Sequence, residues 1–218
     1  MYNGKEVNLC IPTLNRYDLL VTCVLSAVSG TVKPTQILII DNGLKLDRPN
    51  IDNLHVYNFG RNIGLAASWN FLIKNTNEYR IIVNDDIEFF PDTIEKLINS
   101  YDENYVVFPG AVMAVNTFSC FMISNKIIDN VGFFDENISP GYAYFEDNDY
   151  RYRMHLAGFE TKRAVECGLI HRSSSTIKKF NHPQINIHHK LFEKAKNNYI
   201  NKWGGLPENE KYLTPYNK

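Results

Sequence analysis

Ile81-Ile82-Val83-Asn84-Asp85-Asp86 is the stretch on which the fold turns. An apolar, β-branched run closed abruptly by acids reads as a strand buried on both faces, and such strands belong to parallel sheets whose ligands sit beyond the carboxyl ends. Asp85 and Asp86 stand at that end. Upstream, the same unit repeats. Val7 to Ile11 reads as a first strand, and Leu20, Val21, Val24, Leu25 and Val28 recur at helical spacing until Gly30, with Asn15 as an N-cap. Ile37 to Ile40 forms a second strand ending in the turn-forming Asp41-Asn42-Gly43, and His55 to Phe59 a third. Gly60 to Gly64 then opens a helix with Leu65, Ala66, Trp69, Leu72 and Ile73 on one face, and Tyr79 to Val83 returns as the fourth strand. Strand and helix alternating over short connections predict an α/β fold, a mostly parallel sheet with helices on both faces.

Downstream the pattern loosens. Pro91 starts a helix carrying Ile94, Leu97 and Ile98, and Tyr105 to Phe108 and Ser119 to Ile123 read as strands. Glu146 to Gly158 reads as a helix with Glu146, Asp147 and Asp149 in its first turn. Lys162 to Ile170 extends again and delivers His171. Leu191, Phe192, Ala195 and Tyr199 mark a last helix, broken at Trp203-Gly204-Gly205.

Composition narrows the class. With 218 residues, 44% of them hydrophobic, the chain can bury a core unaided. The reading is one domain, 1–218, with a nucleotide-binding half to residue 86 and an acceptor half from 87; a larger parent protein would look the same. A net charge of -1 without a basic stripe excludes nucleic acid as a partner. Cys10, Cys23, Cys120 and Cys167 form no C-x-x-C pair, which argues for reduced thiols and a cytoplasmic setting, a host cytoplasm if the source is viral. No window approaches the roughly 20 apolar residues of a membrane span, so a soluble or membrane-peripheral chain is expected.

Carboxylates at a strand end can hold a divalent cation over a diphosphate, while a separate carboxylate takes a proton from an attacking hydroxyl. Each group also has a plainer role. Asp85-Asp86 could be a solvated turn, the acids at 146–149 could serve the helix dipole with Asp147–Arg151 and Asp149–Arg153 pairing at i, i+4, and His171 could be a hydrogen-bonded structural residue.

The order of these pieces resembles the family 2-like glycosyltransferases of the GT-A fold, including rhamnosyltransferase- and galactofuranosyltransferase-like members. Ile11-Pro12-Thr13-Leu14-Asn15-Arg16 is similar to the family's opening motif, Ile39 to Gly43 to its second-strand motif, and Asn62 to Ala66 with Asn70 to its third. Val83 to Asp86 resembles the D-x-D segment, with Asn84 where the first acid usually stands. Phe145 to Asp149 with Arg153 and Gly158 resembles the acidic base motif, His171 the late histidine, and Lys202 to Gly205 a tail of some members.

The resemblance implies GT-A architecture with a small antiparallel element and a C-terminal helix, and inverting transfer of a sugar from a nucleotide diphosphate to a hydroxyl of a glycan or other acceptor. It implies Asp86 and His171 as ligands of Mn²⁺, or Mg²⁺, with Asp85 as the other candidate carboxylate, and Asp147 as the base. Pro12, Thr13, Asn15, Arg16, Asp41, Asn70 and Asp85 would meet the nucleoside, and Arg61 and Asn62, at a helix N-terminus, the diphosphate. UDP is the expected nucleotide, thymidine diphosphate its competitor, with glucose, galactose, rhamnose or galactofuranose as the sugar. Two other classes remain open: a non-catalytic nucleotide-sugar-binding module of a larger protein, and a sugar nucleotidyltransferase, which would want a Gly-rich basic loop after the first strand. Acceptor choice is expected to lie in Val112 to Asn116, Asp135 to Tyr144 and the tail after His171.

Overall fold

The computed structural model describes residues 1–47, 51–110, 117–172 and 181–218; the expected acceptor loop Val112 to Asn116 lies outside them, as does the first part of the tail after His171. Four strands of the first half are parallel neighbours or next neighbours: β1 (Val7–Thr13), β2 (Gln36–Asp41), β3 (Leu54–Tyr57) and β4 (Tyr79–Val83). Helices α1 (Tyr17–Val28) and α2 (Leu65–Lys74) connect them. The chain continues through β5 (Ile87–Phe89), α3 (Thr93–Asn99), β6 (Tyr105–Pro109), β7 (Cys120–Met122), α4 (Asn125–Val131), α5 (Glu146–Leu156), β8 (Glu160–Ala164), β9 (Leu169–His171) and α6 (His182–Trp203).

The main sheet has seven strands in the order β3-β2-β1-β4-β7-β6-β8, parallel except where β7 runs against β4 and β6; β5 and β9 form a separate antiparallel pair. From β1 the chain steps outward to β2 and β3, then returns to place β4 on β1's other side. That reversal opens a crevice at the carboxyl ends of β1 and β4, the place where open α/β sheets bind ligands.

Alternation along the strands divides the core. Val7, Leu9 and Ile11 of β1 and Ile37 and Ile39 of β2 face α1 and α3, meeting Leu20, Val24, Ile94 and Leu97. Cys10, Leu38, Ile40 and Ile82 face α2, α4 and α5, meeting Trp69, Leu72, Ile127 and Tyr150. Helices therefore cover both faces, as the period-2 strands and period-3.6 helices require. Among the described residues no helix is long and apolar enough to cross a membrane.

Three elements differ from the sequence reading. The extension expected from Lys162 to Ile170 is two strands, because the chain turns after Ala164, where the Cys167 N–H donates to the Ala164 carbonyl, and leaves the main sheet to pair with β5. Asn15 is not the N-cap of α1: Arg16 holds that position, and Asn15, at φ +57, makes the left-handed turn before it. The last helix begins earlier than its apolar marks suggest, since Asn181 and Gln184 form a capping box with Pro183 in the first turn.

Candidate active site

The carboxyl ends of β1, β2 and β4 bring one group of expected residues together. Thr13, the last residue of β1, donates its hydroxyl to Asp85 Oδ2 at 2.6 Å, across the reversal point. Burial raises the Asp85 carboxyl to about 7, with the neighbouring Asp86 charge adding to the rise; the Thr13 hydroxyl and the Arg16 guanidinium act the other way. Asp41, at the end of β2, accepts from the Tyr17 hydroxyl at 2.8 Å and from the Gly43 and Leu46 N–H groups. Asn15 Oδ1 lies so close to Gly43 that a Cβ there would stand 2.5 Å from it, so a side chain at residue 43 would collide with the β1 loop. Arg16 grips Asp18 with Nε and Nη2, both at 3.1 Å, while its Nη1 is buried without a hydrogen-bond partner. Pro12 is buried in β1 beside them.

The small antiparallel pair places the second group. Ile87 of β5 faces His171 of β9 in register, which sets the imidazole beside the residue before β5, Asp86. His171 Nε2 is 3.3 Å from Asp86 Oδ1, with both side chains largely buried, at 9% and 12% exposure. Asp86 Oδ1 accepts no hydrogen bond. A buried carboxylate oxygen without a donor, facing a ring nitrogen at that separation, suits two neighbouring ligand atoms of one divalent cation with bonds of roughly 2.0–2.2 Å. Among the described residues no group of three or more His, Cys, Asp and Glu side chains converges. A cation held by these two side chains alone would need its remaining ligands from a bound substrate and water.

The third group sits at the start of α5. Tyr144 and Phe145 both have left-handed backbone, φ +97 and +66, immediately before Glu146 and Asp147. Non-glycine residues in that region store strain, commonly of order 1–3 kcal/mol each, and tend to occur at functional sites. The segment leading into them is pinned to the start of α2: the Leu65 N–H, first in that helix, donates to the Tyr142 carbonyl at 2.7 Å. Glu146 is 3% exposed and its Oε2 has no partner, so burial, reinforced by the Asp147 charge, raises its carboxyl well above the usual range. Burial also raises Asp147, but its Oδ1 accepts the Asn148 N–H at 2.9 Å and Arg151 lowers it further. Both carboxyls are therefore held above the usual range by burial, each partly offset by backbone N–H donors, and Arg151 acts on Asp147 alone.

Asp149, three residues on from Glu146, has a structural task. Fully buried, it accepts from Arg153 Nε at 2.9 Å and Trp203 Nε1 at 2.8 Å, and pairs with Lys202 Nζ at 2.6 Å; Lys202 also reaches Asp135 at 2.6 Å. Nothing in local spacing marked Lys202 for burial; the adjacent Trp203 was the available signal.

The third-strand motif is used differently from its expected role. Asn70 is buried, its Oδ1 accepting from the Phe134 N–H and its Nδ2 donating to the Phe134 carbonyl and Glu136, so it braces the loop before α5 and does not reach toward a nucleoside. The N–H groups expected to cradle a diphosphate at α2 are also engaged, that of Ile63 by Asn42 Oδ1, of Gly64 by Asn62 Oδ1 and of Leu65 by Tyr142. Asn62 is therefore a turn-former, and Arg61 remains as an exposed cation in that loop. Asn42, read only as a turn residue, is the hub that ties β2 to α2 through Ile63 and Ser68.

Comparison with known proteins agrees with this geometry. The family model described as Glycosyl transferase family 2 matches residues 9–206. An uncharacterized glycosyltransferase of Rickettsia felis is 29% identical over 147 residues, 63% of this chain and 24% of that protein; a second from Rickettsia conorii is 28% identical over the same shares. The chain thus spans about a quarter of the length of the curated relatives it matches. The mannosyltransferase PcManGT of Pyrobaculum calidifontis, solved with GDP-Man and Mn²⁺, superposes with a TM-score of 0.63 at 10% identity, covering 93% of this chain and 66% of that one. S. aureus TarS 1–349 in complex with UDP-GlcNAc gives 0.59 at 11% identity over 86% and 65%. At such identities the likeness shows the GT-A fold.

Proposed function

The chain belongs to glycosyl transferase family 2, and from that premise we propose that it moves a sugar, with inversion, from a nucleotide diphosphate to a hydroxyl of a glycan or other acceptor. The observation that carries the reading is the buried, donor-less Asp86 Oδ1 facing His171 Nε2 at 3.3 Å. Asp86 and His171 would hold a divalent cation, Mn²⁺ ahead of Mg²⁺ because imidazole joins carboxylate in the set. Bound there, the ion supplies Lewis-acid stabilisation to a departing diphosphate. UDP is the proposed nucleotide, supported by the UDP-GlcNAc complex of one structural neighbour, while the GDP-Man complex of another makes guanosine the control.

The chain's own residues do the rest. Pro12, Thr13, Asn15 and Asp41 line the β1 and β2 ends where a base and ribose lie, Arg16 turns its unpartnered Nη1 to the same buried corner, and Asp85 is held by Thr13 to meet the ribose. Arg61 contributes positive charge to the diphosphate. Asp147 accepts the proton from the acceptor hydroxyl as that oxygen bonds to the anomeric carbon and the sugar–phosphate bond breaks on the opposite side. A raised carboxyl suits this, since a base with a higher proton affinity accepts more readily provided it is ionised at the working pH.

Donor turnover with Mn²⁺, measured beside nucleotide-sugar binding by thermal shift, tests the reading. Asp147→Ala is expected to lower turnover by roughly 10²–10⁴-fold with donor binding retained, and Asp86→Ala to abolish the metal-dependent part of the binding shift. Full turnover in Asp147→Ala would remove the base assignment. One fact favours a second reading, a binding module within a longer protein: the chain spans about a quarter of its matched relatives. That reading predicts donor binding with no turnover in the parent.

A further inference from the structure

A groove of about 610 Å³ runs between α5, β8 and residues 207–210. Asn148, Arg151, Tyr152 and His155 are spaced to share one side of α5, turned away from Glu146, Asp149 and Arg153, and all four line the groove. Its opposite wall is β8, the last strand of the main sheet, through Glu160, Thr161 and Arg163. Phe159 and Tyr152 bring partly exposed rings to the groove, while Phe108 behind them belongs to the buried core.

The third wall is built into the fold. Lys211 and Tyr212 N–H groups both donate to the Trp203 carbonyl, turning the chain back after α6, and the Tyr152 hydroxyl donates to the Tyr212 carbonyl at 3.0 Å. Glu210 is held by the Tyr199 hydroxyl. Pro207 and Glu208 are thereby fixed across from α5, so the groove exists before any ligand enters, which lowers the ordering cost of binding.

Its chemistry selects a class of occupant. Arg151, His155 and Arg163 face Glu160, Glu208 and Glu210, a balance that favours neither a polyanion nor a polycation. Sugar hydroxyls each donate and accept, so planar guanidinium, amide and carboxylate groups in alternation suit them, and aromatic faces suit the C–H faces of the ring. The volume lies within the ~300–1,000 Å³ of small-ligand sites. Asn148, which lines the groove, follows Asp147 in α5, and Arg151, also in the lining, is a cation close enough to act on the Asp147 carboxyl.

We propose that this groove binds a neutral oligosaccharide, the portion of a glycan acceptor that lies beyond the sugar receiving the transfer. The inference rests on the transferase reading of the crevice, so its test keeps the two apart. Neutral tetrasaccharides of glucose, N-acetylglucosamine, mannose and galactose, with tetragalacturonate as an anionic control, are titrated onto the full chain and followed by saturation-transfer NMR; UDP and GDP are titrated separately. At least one neutral tetrasaccharide should bind, and Arg163→Ala and Glu208→Ala, both at exposed positions, should each weaken it about tenfold with nucleotide binding and melting temperature unchanged. The proposal is overturned if no neutral tetrasaccharide binds, if binding ignores both substitutions, or if tetragalacturonate binds better. Absence of nucleotide binding in the parent would instead strike the crevice reading.

Discussion

The two halves of this molecule hold their polar residues by different means. In the half up to residue 86, Thr13, Asp41, Asp85 and Asp86 stand where a strand stops, and strand register sets them side by side: Thr13 pairs with Asp41 across β1 and β2, and its hydroxyl meets Asp85 beyond β4. In the half from residue 87 on, the start of α5 is set by side chains far apart in the chain. Asp149 is anchored by Lys202 and Trp203 of α6, and Lys202 spans to Asp135 in the loop before α5. A site hung on strand ends inherits the rigidity of the sheet; a site hung on a buried charge network depends on each member being present.

Lys202→Ala is the hardest test of that difference. It takes from Asp149 and Asp135 the buried cation they share, leaving Asp149 only the cation of Arg153, and removing one partner of a buried pair costs up to about 3–5 kcal/mol. Urea denaturation should register the loss. Ile39→Val, in the register-held half, should cost only about 0.5–1.5 kcal/mol, the usual effect of one buried methylene. If Lys202→Ala proved as mild as Ile39→Val, the network would not be what holds α5.

The seam between the halves is the next place to press. Gly64 has φ +86 and ψ 168, and a Cβ there would lie 2.7 Å from the Tyr142 nitrogen and 2.9 Å from that of Gly141. Backbone cannot yield as a flexible side chain does. Gly64→Ala should destabilise by about 1–3 kcal/mol and, by displacing the loop that leads into Glu146 and Asp147, lower turnover more than nucleotide binding. Equal loss of both would mean that the seam serves only the fold.

The same contrast explains what the sequence disclosed. The parallel first half was legible because β-branched runs, turn residues and helical periods are local signals, and the acids at strand ends inherit their positions from those runs. The Asp86–His171 pairing rests on β5 and the split of the 160–171 extension into two strands, neither of which local pattern indicated; a three-residue strand carries too little periodicity to read. Asn70 looked like a ligand-facing polar residue, but its amide matches a loop 64 residues away. Lys202 was hidden for the same reason: burial of a lysine is decided by the carboxylates it meets, and these come from α5 and the loop before it.

Glu146 supplies the finest probe of the second half, because it converts burial into a pH effect. Burial raises its folded carboxyl well above the ordinary glutamate range, whereas in the unfolded chain it titrates near about 4.3. Between those limits the folded state keeps a proton that unfolding releases. Its contribution to stability is therefore fully present below the unfolded value and declines as pH rises toward the folded one, by at most about 1.4 kcal/mol per pH unit. Glu146→Gln mimics the protonated form and removes this decline, so stability measured by urea denaturation at pH 5, 6, 7 and 8 should fall less steeply than in the parent, with any remaining slope traceable in part to Asp147, which shifts in the same direction. Because Gln keeps the shape of the side chain but cannot ionise, an unchanged slope would mean that Glu146 carries no extra proton in the folded state, and the pH dependence at the start of α5 would have to come from other groups, Asp147 first among them.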